Sequence, residues 1–154
     1  MKEIFLGIRR ALEESENVKA VYPMHLNPRV RQVAREVFGN CPKMRLMEPL
    51  EVREFHNFQS RAHVILTDSG GIQEEACALG RPVLVLRDTT ERPEGVITGS
   101  LRLTGCTSDS VYENTMQILS DPSVYARMSH PSTVYGDGRA SERITRAIIN
   151  HFTG

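Results

Sequence analysis

The strongest constraint on this chain is the alternation of short apolar runs with helical spacing, clearest in HVILTDSGGIQEEACALGRPVLVLRD, residues 63 to 88. Val64-Ile65-Leu66 is too short for a buried helix. Ile72, Ala76 and Leu79 then recur on one helical face, and Val83 to Leu86 is a second apolar run. Apolar strands separated by helices imply a parallel sheet covered on both faces and joined by right-handed crossovers. Asp68-Ser69-Gly70-Gly71 therefore links a strand to a helix.

The same rhythm continues along the chain. Ile4, Ile8 and Leu12 mark a helix and residues 18–22 a strand. Val30, Val33, Ala34, Val37 and Phe38 form a helical stripe closed by Gly39, followed by a strand at 44–47. Val52, Phe55 and Phe58 suggest a short helix before a strand at 62–66. Gly80 suits the end of the helix that starts at Gly70. Strands are predicted at 82–86 and, more weakly, 101–103, then helices at 108–119, 122–128 and 139–152, the last opened by Gly136-Asp137-Gly138. The expected fold is α/β, one open parallel sheet in a single domain over residues 1–154. DSGG also occurs in the nucleophile loop of trypsin-like proteases. A two-barrel protease, however, needs a longer chain of alternating strands, with its His and Asp ahead of the Ser.

Composition narrows the function. The 154 residues carry 19 basic and 19 acidic side chains, so no global field draws nucleic acid or an anionic membrane. No apolar run approaches the roughly 20 residues of a membrane span. Cys41, Cys77 and Cys106 are odd in number and widely spaced, which suits a reducing cytoplasm better than a disulfide framework or a zinc site. The histidines show no metal-ligand spacing, and no cofactor is implied.

In open parallel sheets, ligands bind beyond the carboxyl ends of the strands. Four polar loops fall there: His25-Leu26-Asn27-Pro28, Glu48-Pro49-Leu50, Asp68-Ser69-Gly70-Gly71, and Asp88 to Glu94. Ser69 is a suitable N-cap, and Gly70 and Gly71 expose the first backbone N–H groups of a helix to an anion such as phosphate; an ordinary capped turn explains them equally. Glu75 borders the helix's apolar face, where its carboxylate could accept both hydroxyls of a ribose. The helix dipole accounts for Glu74 and Glu75 alike. Phe55 could stack on a base or sit in the core. Arg87 and Arg92 could hold an anion and Thr89 and Thr90 sugar hydroxyls, or the loop could be a solvated connection stiffened by Pro93. Asn27 and Pro28 start a helix, which leaves His25 as a ligand contact or a buried, satisfied imidazole.

Together, HLNP, LTDSGGIQEEA, GRPVLVLRDTTERPEGV and YGDGRASERI resemble the carboxyl-terminal half of the non-hydrolysing UDP-N-acetylglucosamine 2-epimerases. The resemblance runs in order along nearly the whole chain. It implies a Rossmann-like domain similar to the C-terminal domain of the GT-B fold, with Ser69, Gly70 and Gly71 on the diphosphate, Glu75 on the ribose and Phe55 on the uracil. It places His25 at the sugar-nucleotide cleft, associated in bacterial members with a regulatory substrate molecule. Arg87, Thr90, Glu91 and Arg92 fall in the loop that closes over the site. Ser69 is then a phosphate ligand, not a nucleophile. The implied reaction interconverts UDP-GlcNAc and UDP-ManNAc by loss and return of UDP. The family's acid and base groups lie largely in an amino-terminal domain, expected to be absent here, so the chain alone should be inactive. Alternatives are a non-catalytic nucleotide-sugar-binding module and a GT-B glycosyltransferase donor domain. An exposed inter-domain face would favour a homo-oligomer.

The resemblance is imperfect at the hexose end. Thr133-Val134 and Thr98-Gly99-Ser100 depart from the Asn-Pro and Ala-Gly-Thr that the family often has there.

Overall fold

The computed structural model describes residues 1–153. In chain order its elements are α1 (Lys2–Glu14), β1 (Ala20–Pro23), α2 (Pro28–Phe38), β2 (Met44–Met47), α3 (Val52–Arg61), β3 (Ile65–Thr67), α4 (Gly70–Ala78), β4 (Val83–Val85), α5 (Pro93–Ile97), β5 (Leu101–Leu103), α6 (Ser108–Ser120), α7 (Pro122–Met128) and α8 (Ala140–Thr153). All strand pairings are parallel.

β4 lies between β3 and β5, and the strand period of two divides its side chains. Val83 and Val85 pack with Ala76, Cys77 and Leu101 on the α4 side. Leu84 turns the other way, onto Ile118, Val124 and Met128 of α6 and α7. Both faces of this strand are buried, as its uninterrupted apolar run requires. A second core joins Phe5, Met24, Ala34, Val37 and Phe38 around β1 and β2. α1 packs on both α2 and α6 and so links the two regions.

The expected single sheet is divided. β1 pairs with β2, and β3, β4 and β5 form a separate ladder. β1 is only four residues long and β3 only three, and Pro23 in β1 supplies no N–H, so each offers few ladder bonds beyond those it already makes. The loop after β3 lies within electrostatic reach of β1: burial, and then the charge of Asp68, raises the hydroxyl pKa of Tyr22.

Helix faces differ from expectation in two places. On α4 the buried residues are Gln73, Ala76 and Cys77, while Leu79 is exposed, so the inward face is rotated from the Ile72-Ala76-Leu79 stripe and includes a glutamine. On α3, Val52 and Phe58 are exposed and Gln59 is the buried residue. Ile144, Ile148 and Phe152 leave the apolar face of α8 exposed to solvent. α5 had no counterpart in the periodicity, because five residues are too few to show one.

Candidate functional site

α4 begins where β3 ends. Ser69 occupies the cap position with extended backbone, but its hydroxyl makes no capping bond; its own N–H instead donates to Thr67 Oγ1 at 3.1 Å. The first-turn N–H groups therefore lack the side-chain acceptor that the sequence suggested, and the helix opens with its donors available to an anion. The two glycines differ. A Cβ on Gly71 would meet nothing within 4 Å, whereas one on Gly70 would lie 2.8 Å from Glu91 Oε1. Gly71 leaves open space, and Gly70 makes room for the loop after β4. At the far end, Gly80 (φ 65°) closes α4 by donating to Cys77 O while Arg81 donates to Ala76 O, a Schellman arrangement.

That loop is tied to α4 at three points. The Thr90 hydroxyl donates to Gln73 Oε1 at 2.8 Å and accepts the Arg92 N–H at 3.1 Å. Arg92 pairs with Glu74 through its Nε. Glu91 lies beside Gly70 and pairs with Arg87 at 2.8 Å. Its own backbone N–H, then the charges of Arg87 and Arg92, hold its carboxyl below the usual range. Two guanidinium groups thus stand beside the opening of α4, each on a carboxylate partner. Tyr135, which sequence reasoning noted only within a longer motif, fastens the loop from outside. Its hydroxyl accepts the Gly95 N–H at 2.8 Å and donates to the Arg92 carbonyl at 3.1 Å.

One turn beyond the glycines, Glu75 points away from this loop and towards α3. Gln59 Nε2 donates to its Oε2 at 3.0 Å, and His56 Nε2 lies 3.4 Å from the same oxygen. The Glu75 side chain remains 44% exposed. Glu74 and Glu75, equivalent by charge and dipole, therefore serve different neighbours. Phe55 is half-buried, outside the clusters of the core, one turn before Gln59 on the face of α3 that reaches Glu75.

His25 lies apart from this group. It is exposed, not buried: its Nδ1 accepts the Asn27 N–H at 3.1 Å, while Asn27 caps α2 through the Arg29 N–H. Arg31, bonded to the His25 carbonyl at 3.3 Å, makes a two-point pair with Glu48 and so links the loops after β1 and β2. Among the described residues no group of three acidic, histidine or cysteine side chains could hold a metal ion. No helix among them is long and apolar enough to cross a membrane.

Comparison with known proteins connects these features to a family. Residues 1–149 match the UDP-N-acetylglucosamine 2-epimerase family. The chain belongs to that family. It is 53% identical over 152 residues to the UDP-N-acetylglucosamine 2-epimerase of Bacillus subtilis, covering 99% of this chain and 40% of that protein. A UDP co-structure of the Staphylococcus aureus protein superposes with a TM-score of 0.93 at 47% identity, over 99% of this chain and 41% of that one. The Neisseria meningitidis UDP-GlcNAc 2-epimerase bound to UDP-GlcNAc gives 0.92 at 40% identity, over 97% and 40%. The chain thus spans about two-fifths of the length of these relatives.

Proposed function

We propose that this epimerase-family chain holds the UDP moiety of UDP-GlcNAc and UDP-ManNAc during their interconversion at C2, acting as one nucleotide-binding unit. The opening of α4 carries the proposal: an uncapped helix start, open space at Gly71, and a carboxylate about one turn further on. Five residues from Gly70 to Glu75 advance about 7.5 Å along a helix, a separation suited to the diphosphate and the ribose hydroxyls of one nucleotide. Ser69, Gly70 and Gly71 take the diphosphate, Glu75 takes the ribose diol and Phe55 takes the uracil face.

Arg87 and Arg92 then stabilise charge as UDP leaves, with Thr90 and Glu91 shaping the loop around the sugar. His25, exposed on the neighbouring loop, contributes to a more distant part of the cleft. The base at C2 and the acid for the leaving group come from the further length that the relatives possess. The compartment is the cytoplasm. Family membership favours this reading over a glycosyltransferase donor domain.

Calorimetry with UDP and a coupled assay with UDP-GlcNAc test it. Weak UDP binding without turnover by this chain is the expected pair of results. Rapid turnover would show that these 154 residues supply the acid and base themselves, and failure to bind UDP would remove the nucleotide assignment.

A further inference from the structure

Gln59 is the buried residue of α3, at 3% exposure, on a helix whose apolar Val52 and Phe58 face solvent. This distribution is the reverse of what burial alone would select, because a primary amide gains little from the interior unless its polar atoms are paired. One of them is: Nε2 donates to Glu75 Oε2 at 3.0 Å. The other, Oε1, is buried without a hydrogen-bond partner. A leucine would fill such a position without leaving an acceptor unmet.

We infer that Gln59 is a positioning residue for ligand binding: it fixes the Glu75 carboxylate by occupying Oε2, so that Oε1 is presented to the ribose hydroxyls. The inference rests on the ribose role of Glu75 proposed above. Three details support it. Glu75 is half exposed, and a glutamate has three rotatable bonds, so without an anchor its carboxylate would sample several rotamers before ligand arrives. His56 Nε2 lies 3.4 Å from the same oxygen, on the preceding turn of α3, so both α3 neighbours sit at Oε2 and neither at Oε1. Gln59 also follows Phe55 by four residues, which places the proposed base-stacking ring and the anchor for the ribose carboxylate on one helical face. α3 would then align the base and ribose contacts together, while α4 and the loop after β4 hold the phosphates.

The test uses the 154-residue chain, with UDP and 2′,3′-dideoxy-UDP as ligands in calorimetry and thermal unfolding run in parallel. Gln59→Leu should weaken UDP by roughly 3- to 10-fold, the effect of one ordinary hydrogen bond. It should leave dideoxy-UDP nearly unchanged and the melting temperature equal or higher, because the unmet buried acceptor is gone. In a Glu75→Ala background the same substitution should have no further effect on UDP. Equal weakening of both ligands, or a fall in melting temperature that accounts for the binding loss, would make Gln59 merely structural and overturn the inference. So would unchanged UDP affinity. Glu75→Ala read alone keeps the two ideas apart. If that variant still prefers UDP over dideoxy-UDP, the ribose assignment fails; if it loses the preference while Gln59→Leu keeps it, only the positioning role fails.

Discussion

Glu75→Ala is the perturbation on which the nucleotide assignment bears most heavily. A hydrogen bond to a charged acceptor contributes about 1.5 to 3 kcal/mol. The Glu75 side chain is 44% exposed and its carboxylate already accepts from Gln59 at 3.0 Å, so water screens it and one oxygen is committed. Both facts point to the lower end of the range, and about 1.5 kcal/mol corresponds to roughly a tenfold loss of UDP affinity. Calorimetry at fixed salt measures it, with dideoxy-UDP as the control. The parent chain should lose about the same factor when the diol is removed, and the variant should lose almost nothing more. Glu74→Ala should act differently, because Glu74 holds Arg92: it should weaken UDP and UMP together through the loop, with the preference for the ribose diol intact. A Glu75→Ala variant that retains that preference would refute the reasoning.

Gly71→Ala should raise or preserve the melting temperature, since alanine is favoured over glycine in a helix by up to about 1 kcal/mol and the position is open. The added methyl should nonetheless weaken UDP binding in calorimetry by crowding the diphosphate. Tyr135→Phe should lower the melting temperature by several degrees in thermal unfolding, because the Gly95 N–H loses its acceptor at a cost of about 1 to 3 kcal/mol. The Asp121 carboxylate accepts the backbone N–H groups of Ser123 and Val124 at the start of α7. Hydrogen bonding to Ser123, before any other cause, depresses its pKa. Its stabilisation is therefore complete above the ordinary carboxylate value and lost as pH falls through the depressed one, so the melting-temperature advantage over Asp121→Ala should shrink below about pH 4. Burial pushes the Cys77 thiol up to about 11, so iodoacetamide at pH 8 should label the partly exposed Cys106 before Cys77 in peptide mapping of the native chain.

The α/β class was legible because strands buried on both faces must read as uninterrupted apolar runs, and Val83 to Val85 does. The division into two ladders was not, because pairing depends on the geometry of short edges and not on side-chain pattern. The loops that follow the strands could be placed from strand ends alone. Which glutamate turns which way could not: Glu74 and Glu75 are adjacent and carry the same charge, and only packing against Arg92 and Gln59 separates them. Gln59 and Gln73 escaped notice for a related reason. A search for core faces looks for apolar residues, while both glutamines take inward positions for hydrogen bonds, to Glu75 and Thr90. Glutamines at helical core spacing beside candidate ligand residues were the signal available in the sequence. The uncapped state of Ser69 had no such signal, since a serine before two glycines at a helix start favours capping on every local argument.

The central claim is that the opening of α4 holds a diphosphate while Glu75 holds the ribose. A crystal structure of this chain soaked with UDP tests it most directly. Phosphate oxygens within hydrogen-bonding distance of the Gly70 and Gly71 N–H groups, with the ribose hydroxyls on Glu75 and the uracil against Phe55, is the predicted result. UDP bound away from α4, or bound there with its ribose turned from Glu75, would contradict the account.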